Sequence, residues 1–257
     1  KIMEKTFMEA MDFRHACKIF DETKKISDED MKFILEVGRK SPSSFGQEGW
    51  KFLVITNEEL KAKLRPFCWE QPQITTCSHL VIILAAIDAV KPESGVPATR
   101  FARREMPQEK KDFYNKLYKE HLTVTKVLDS DENVYSWTAR QTYIAAGNMM
   151  TAAAIKGIDS CPIEGFDKAK VEEVLGLDTK KFQLSMVLPF GYRINPMSSR
   201  GVTNTPLAYI SQNVGVEQYV SLGSAWYVVK VYKRADVTVI SALLIQTDYN
   251  TDNEVLK

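Results

Sequence analysis

Apolar residues recur along the chain with two different periods, and the changes of period mark out its elements. Between residues 4 and 12, Phe7, Met8, Ala10 and Met11 form one apolar face of a helix that stops just before Arg14. The next helix is better delimited. Ser27 is a natural N-cap, Asp28, Glu29 and Asp30 stand at the positive end of the helix dipole, and Ile26 can staple onto Met31. Met31, Ile34, Leu35 and Gly38 then repeat at helical spacing to about Lys40. Ser41-Pro42-Ser43-Ser44-Phe45-Gly46 predicts a turn-rich loop, and Lys51 to Ile55 a strand.

The uninterrupted branched run from Leu80 to Ile87 predicts a strand buried on both faces. Asp88 to Pro107 shows no period and reads as irregular. Beyond it, Phe113, Tyr114, Leu117, Tyr118 and His121 make an aromatic stripe on a charged helix, read first as packing and second as a pocket wall. Trp137 to Ile155 predicts a helix that is apolar or small on nearly every side, fit for a core or a subunit interface, with Gly157 as its cap. Asp159 to Phe166 is a loop, Asp167 caps a short helix ended by Gly176, and Phe182 to Leu188 is a strand closed by Pro189. Helices and strands intermix without a repeat, so the body is an α+β or α/β domain. The composition changes after Arg200: residues 201 to 224 carry few charges, and Trp226 to Tyr232 and Val237 to Ile245 predict two more strands. The division expected is therefore a body over residues 1–200 and an extension over 201–257.

Composition narrows the functional classes. A chain of 257 residues, 44% hydrophobic, can bury its own core without disulfides or metals. With 34 Lys and Arg against 33 Asp and Glu, a dedicated nucleic-acid binder is not expected. The four cysteines form no CxxC pair and suit a reducing compartment. The longest apolar run falls well short of the ~20 residues that span a bilayer, and no secretory h-region is visible, so no membrane partner and a cytoplasmic location are expected. No GxGxxG follows a strand, and no Walker loop, HExxH or GxSxG occurs. Three histidines, His15, His79 and His121, make a multi-histidine metal site unlikely on count alone, and no metal is expected.

Four short segments carry the chemistry that remains. Arg14-His15-Ala16-Cys17-Lys18-Ile19-Phe20-Asp21 sets two cations four residues apart at a helix end. The loop Ser41 to Trp50 offers hydroxyls and free backbone N–H groups. Pro162-Ile163-Glu164-Gly165-Phe166-Asp167 is a tight turn where glycine permits close approach of a ligand. Gly191 to Arg200 follows the last body strand and ends in a cation. Taken singly, each has a plain structural reading as a solvated face or a connection.

In this order and at these separations the four segments resemble the oxygen-insensitive NAD(P)H nitroreductase family of FMN enzymes, over roughly residues 4 to 200. The resemblance implies a mixed central sheet flanked by helices, and a homodimer with FMN at its interface. Arg14, His15, Ala16 and Lys18 would lie along the flavin, with Lys18 at the pyrimidine edge and Arg14 toward the phosphate. Pro42, Ser43, Ser44 and Gly46 would reach the cofactor from the partner subunit. Gln73, Pro162, Ile163, Glu164 and Gly165 would complete the cradle, with a backbone N–H of Glu164 or Gly165 near flavin N5, and Arg200 would clamp the phosphate. Lys18, Glu164 and Gly165 are thus the implied catalytic set, and Phe113, Tyr114 and Tyr118 the implied wall of the substrate pocket.

The implied reaction is ping-pong: NADPH or NADH gives hydride, and a nitroaromatic or quinone takes two electrons at the same open site. Departures from the pattern keep a second reading open, a flavin-binding redox sensor or flavin store without efficient turnover. Ala16 stands where many members have Ser, Gly46 where Asn is frequent, Gly49 where Pro precedes the Trp, Glu70 where Asn contacts the flavin, and Ser198 where Lys is used. Residues 201–257 do not resemble the family's usual ending.

Overall fold

The computed structural model describes residues 4–194 and the strands at 218–222, 225–234 and 237–247. The chain divides into two compact units, Lys1–Arg200 and Gly201–Lys257. The first holds a four-stranded antiparallel sheet in the order β1 (Trp50–Ile55), β2 (His79–Ala86), β4 (Phe182–Gly191), β3 (Asp159–Ser160). Around it lie α1 (Phe7–Phe13), α2 (Asp28–Arg39), α3 (Glu58–Leu64), α4 (Gln73–Thr76), α5 (Val96–Ala102), α6 (Gln108–Val124), α7 (Asp131–Ile155) and α8 (Lys168–Val174). The fold is α+β. No helix among the described residues is long and apolar enough to cross a membrane.

The unbroken apolarity of β2 has a direct cause. Side chains alternate along a strand, and here both alternating sets are covered. Leu80, Ile82 and Leu84 enter one core cluster with Leu64, Ile74 and Leu184, while Val81 and Ile83 enter another with Ile34, Ala146 and Met149. The second cluster joins α2 and α7 to the sheet. Gly38 lets those helices approach closely, because a Cβ there would lie 2.6 Å from Met149 Sδ.

Three expectations are corrected. The stretch Asp88 to Pro107 contains α5, entered through Gly95 at φ 74° with Pro97 in its first turn, a start signal hidden by the lack of apolar period. Helix α7 begins at Asp131 and not Trp137; Ser130 caps it by accepting from Asn133 N–H at 3.2 Å, and its first turn is polar. Strand β4 runs through Pro189 to Gly191. Pro189 lends its carbonyl to Cys161 N–H at 3.2 Å, and since N–H and C=O of one strand residue face the same side, its missing donor is on the β3 side, beyond the two-residue β3, and not toward β2. On α1 the apolar face exists but is uncovered in the single chain, with Phe7 62% and Met8 66% exposed.

The second unit is an antiparallel sheet in the order β5 (Gln218–Leu222), β6 (Ala225–Arg234), β7 (Val237–Thr247). The two expected strands are present and longer, β5 adds a third, and a bulge shifts the register between Trp226 and Tyr227.

Candidate flavin half-site

The segment after α1 is pinned to the sheet before it reaches Lys18. Ala16 makes a parallel bridge to Ser160, Cys17 N–H donates to Ser160 O at 3.1 Å, and Phe20 bridges Arg193. Beneath it, Asp159, 2% exposed, accepts from Arg193 Nε at 2.8 and 3.0 Å, and Arg193 Nη2 also donates to Phe13 O at 2.9 Å. His15, Cys17 and Asp159 lie within 4.8 Å of one another, but both Asp159 oxygens are taken by the guanidinium. This is a framework ion pair, and it fixes the strip that carries the cations.

Lys18 then comes to rest opposite the Pro162 turn. Its Nζ lies 3.7 Å from Cys161 Sγ, and Gln73 Nε2 lies 3.8 Å from the same sulfur. Burial raises the Cys161 thiol above the usual range, with Lys18 pulling the other way. Cys17, 2% exposed, is pushed up to about 11, chiefly by burial, and is a packed thiol. Neither Arg14 nor Lys18 has a carboxylate within ion-pair distance among the described residues.

The turn itself is anchored and leaves donors free. Ile163 exchanges two backbone hydrogen bonds with Val187, at 2.9 and 3.1 Å. Phe166 N–H returns to Glu164 O at 3.0 Å, while the N–H groups of Glu164 and Gly165 find no acceptor among the described residues. Gly165 has to be glycine, since a Cβ there would lie 2.7 Å from Trp69 Cε3. Glu70 turns away to Arg65, with Nε 3.1 Å from its carboxylate, so it does not take the place of the family's Asn.

The other expected site residues lie elsewhere. Ser44 N–H donates to Gln141 Oε1 at 2.8 Å, Ser43 Oγ accepts from Glu48 N–H at 2.8 Å, and the Phe45 carbonyl accepts from Arg104. Phe45 packs on Tyr118 and His121, with centroids 5.2 and 5.4 Å apart. None of these contacts of the Pro42 to Gly46 loop reaches Lys18 or Glu164. Arg14 lines a separate groove of about 550 Å³ with Phe7, Met11, Phe33 and Met150. Tyr118 is 1% exposed, donates to Val90 O at 2.5 Å and sits in a core cluster; Tyr114 stacks on Phe101, and of the three residues implied for the pocket wall only Phe113 is exposed. Arg200 and Ser198 lie outside the described residues. Sequence reasoning missed Tyr143, whose hydroxyl donates to Glu164, and Gln71, whose amide donates to Gly165 O at 2.9 Å. No spacing rule connects either to the turn.

The profile of the Nitroreductase family matches residues 11–192, the whole of this arrangement. The chain belongs to the nitroreductase family. Two relatives carry the name putative NAD(P)H nitroreductase. One, from Staphylococcus epidermidis, is 43% identical over 196 residues, covering 74% of this chain and 89% of its own length. The other, from Bacillus subtilis, is 43% identical over 202 residues, covering 73% and 88%. Among solved structures, one from Exiguobacterium sibiricum described as a putative nitroreductase in complex with FMN matches with a TM-score of 0.62 at 25% identity, over 74% of this chain and 90% of that one. This nitroreductase is thus an oxidoreductase by family, and Lys18, without an ion-pair partner among the described residues, together with the free N–H groups of the turn after Cys161 fits an anionic heterocycle.

Proposed function

We propose that this nitroreductase binds FMN against Lys18 and the Glu164–Gly165 turn and catalyses two-electron reduction of nitroaromatics or quinones by NADPH or NADH. The observation that carries the reading is the convergence of an unpaired Lys18 with two unfilled N–H groups on one rigid turn. Bound FMN supplies the hydride chemistry. Lys18 stabilises negative charge at the pyrimidine edge, and the Glu164 and Gly165 N–H groups donate at the N5 side, both held in place before any ligand arrives. Arg200 would bind the phosphate, and Gln73 fills the place of a family Lys or Gln. Donor and acceptor use one open face in turn, and no side chain is assigned to proton delivery.

The Pro42 to Gly46 loop completes the site from a second copy of the chain. Support for that dimer comes from exposed apolar side chains on α1, α2 and α7: Phe7 and Phe33 line one groove with Met11 and Met150, and Met8 and Ile144 are also exposed. Four free buried cysteines accord with a cytoplasmic enzyme. The test is a visible spectrum of the protein with FMN under anaerobic conditions. Bound flavin should bleach with NADPH or NADH and recover when a nitroaromatic or quinone is added. Flavin that binds but does not bleach favours the storage or sensor reading, and no bound flavin contradicts both.

A further inference from the structure

The Glu164–Gly165 turn is held at the Glu164 side chain and at the Gly165 carbonyl by residues outside the implied cofactor set. Tyr143, on α7, donates its hydroxyl to Glu164 Oε1. Burial, and then that hydrogen bond, raise the phenol above the ordinary tyrosine range, so it stays a donor at neutral pH. Gln71 Nε2 donates to Gly165 O at 2.9 Å and to Cys68 O at 3.0 Å, and its Oε1 accepts from Gln73 Nε2 at 3.0 Å. Trp69 and Glu70 precede Gln71 at φ 56° and 52°, a left-handed pair without glycine, which is uncommon and tends to mark functional sites. That backbone kink turns the Gln71 amide toward the turn and lays the Trp69 ring against Gly165.

Peptide geometry converts the grip into an orientation. In a trans peptide N–H and C=O point opposite ways. Phe166 N–H holds the Glu164 carbonyl, so the Gly165 N–H is directed the other way, and Gln71 holds the following carbonyl. A donor fixed before binding gives its full electrostatic effect, whereas one free to turn must first be ordered.

We propose that Tyr143 and Gln71 are positioning residues that hold the turn carrying the Glu164 and Gly165 N–H groups, and thereby favour oxidised FMN, whose N5 accepts from an N–H, over reduced FMN, whose N5 carries hydrogen. The inference rests on the flavin reading above. The experiment uses the full chain with FMN and measures the ratio of affinities for reduced and oxidised FMN, read from the midpoint potential of bound against free flavin. Tyr143→Phe keeps the ring and loses the hydroxyl, and Gln71→Met keeps the length and loses the amide. Each should raise that ratio roughly threefold to tenfold, the scale of one ordinary hydrogen bond, with the melting temperature close to wild type. Asn133→Ala is the control: it removes a hydrogen bond to Lys126 O at 2.9 Å near the start of the same helix, and should leave the ratio unchanged. A ratio equal to wild type in both Tyr143→Phe and Gln71→Met, with flavin bound, overturns this proposal alone. An equal rise in Asn133→Ala also overturns it, since the effect would then be general. A wild-type chain that takes up no FMN overturns the flavin reading and this proposal with it.

Discussion

The Lys18 strip with its facing turn and the Pro42 to Gly46 loop belong to one family pattern, yet they are held in different ways by different parts of the fold. The strip is bound into the sheet edge: bridges to Ser160 and Arg193 fix its backbone, and Lys18 meets Cys161 and Gln73 across from Glu164. The loop is bound to the α6 and α7 end, through Gln141, Arg104, Tyr118 and His121. Each is rigid and each presents polar groups, but no hydrogen bond or ion pair among the described residues joins them. A site shared between two copies has this form: each copy offers one finished half, and closure depends on the other.

The strongest way to break the comparison is to loosen the frame beneath one half. Asp159→Asn leaves the largely buried Arg193 guanidinium unpaired, and breaking such a pair costs about 3 to 5 kcal/mol. Urea unfolding should show that loss, and FMN uptake should fall with it. A smaller and more local effect is expected from Gly165→Ala, whose methyl would meet the Trp69 ring; overpacking of this kind costs about 1 to 3 kcal/mol. Titration with FMN should show weakened binding, and Trp69→Ala in the same chain should recover part of it. If Gly165→Ala binds FMN like wild type, the turn does not face the ligand as described.

The smallest effect lies at high pH and concerns the core behind the strip. Burial raises Cys17 and Cys68 from 9.0 to about 11 and Cys77 to about 12. A raised thiol pKa in the fold means that the unfolded chain loses its protons first, so these groups add stability below about pH 9 and lose it as pH rises toward 11. The urea midpoint should fall across that window, and thiol reagents should modify the native chain slowly at pH 8.

What the sequence revealed follows from the range of the interactions involved. Strand β2 and helix α2 were legible because burial on a regular period is written locally. Helix α5 and the first turn of α7 were not, because exposed polar turns carry no period. Pro189 looked like a strand end because the side of the strand it faces depends on where β3 stops. The apolar face of α1 was readable, but its covering surface is not among the described residues of this chain. The same limit applies to the site. Lys18, Gln73, Glu164 and Gly165 were found through motifs and do come together, whereas the tyrosine on α7 that holds Glu164 needed the fold, since 21 residues separate them. The aromatic stripe reads first as packing, and Tyr118 does lie in a core cluster; the pocket wall is what the resemblance implies for it.

Mixed chains test the shared site most directly. Lys18→Glu damages the strip and Ser44→Arg damages the loop, so each variant alone should bind FMN poorly. Refolded together at equal amounts, half of the dimers are mixed and each has one intact site, so flavin binding should return at about a quarter of all sites. Recovery near that level is the predicted result. No recovery on mixing, or wild-type FMN binding by Ser44→Arg alone, would contradict the account.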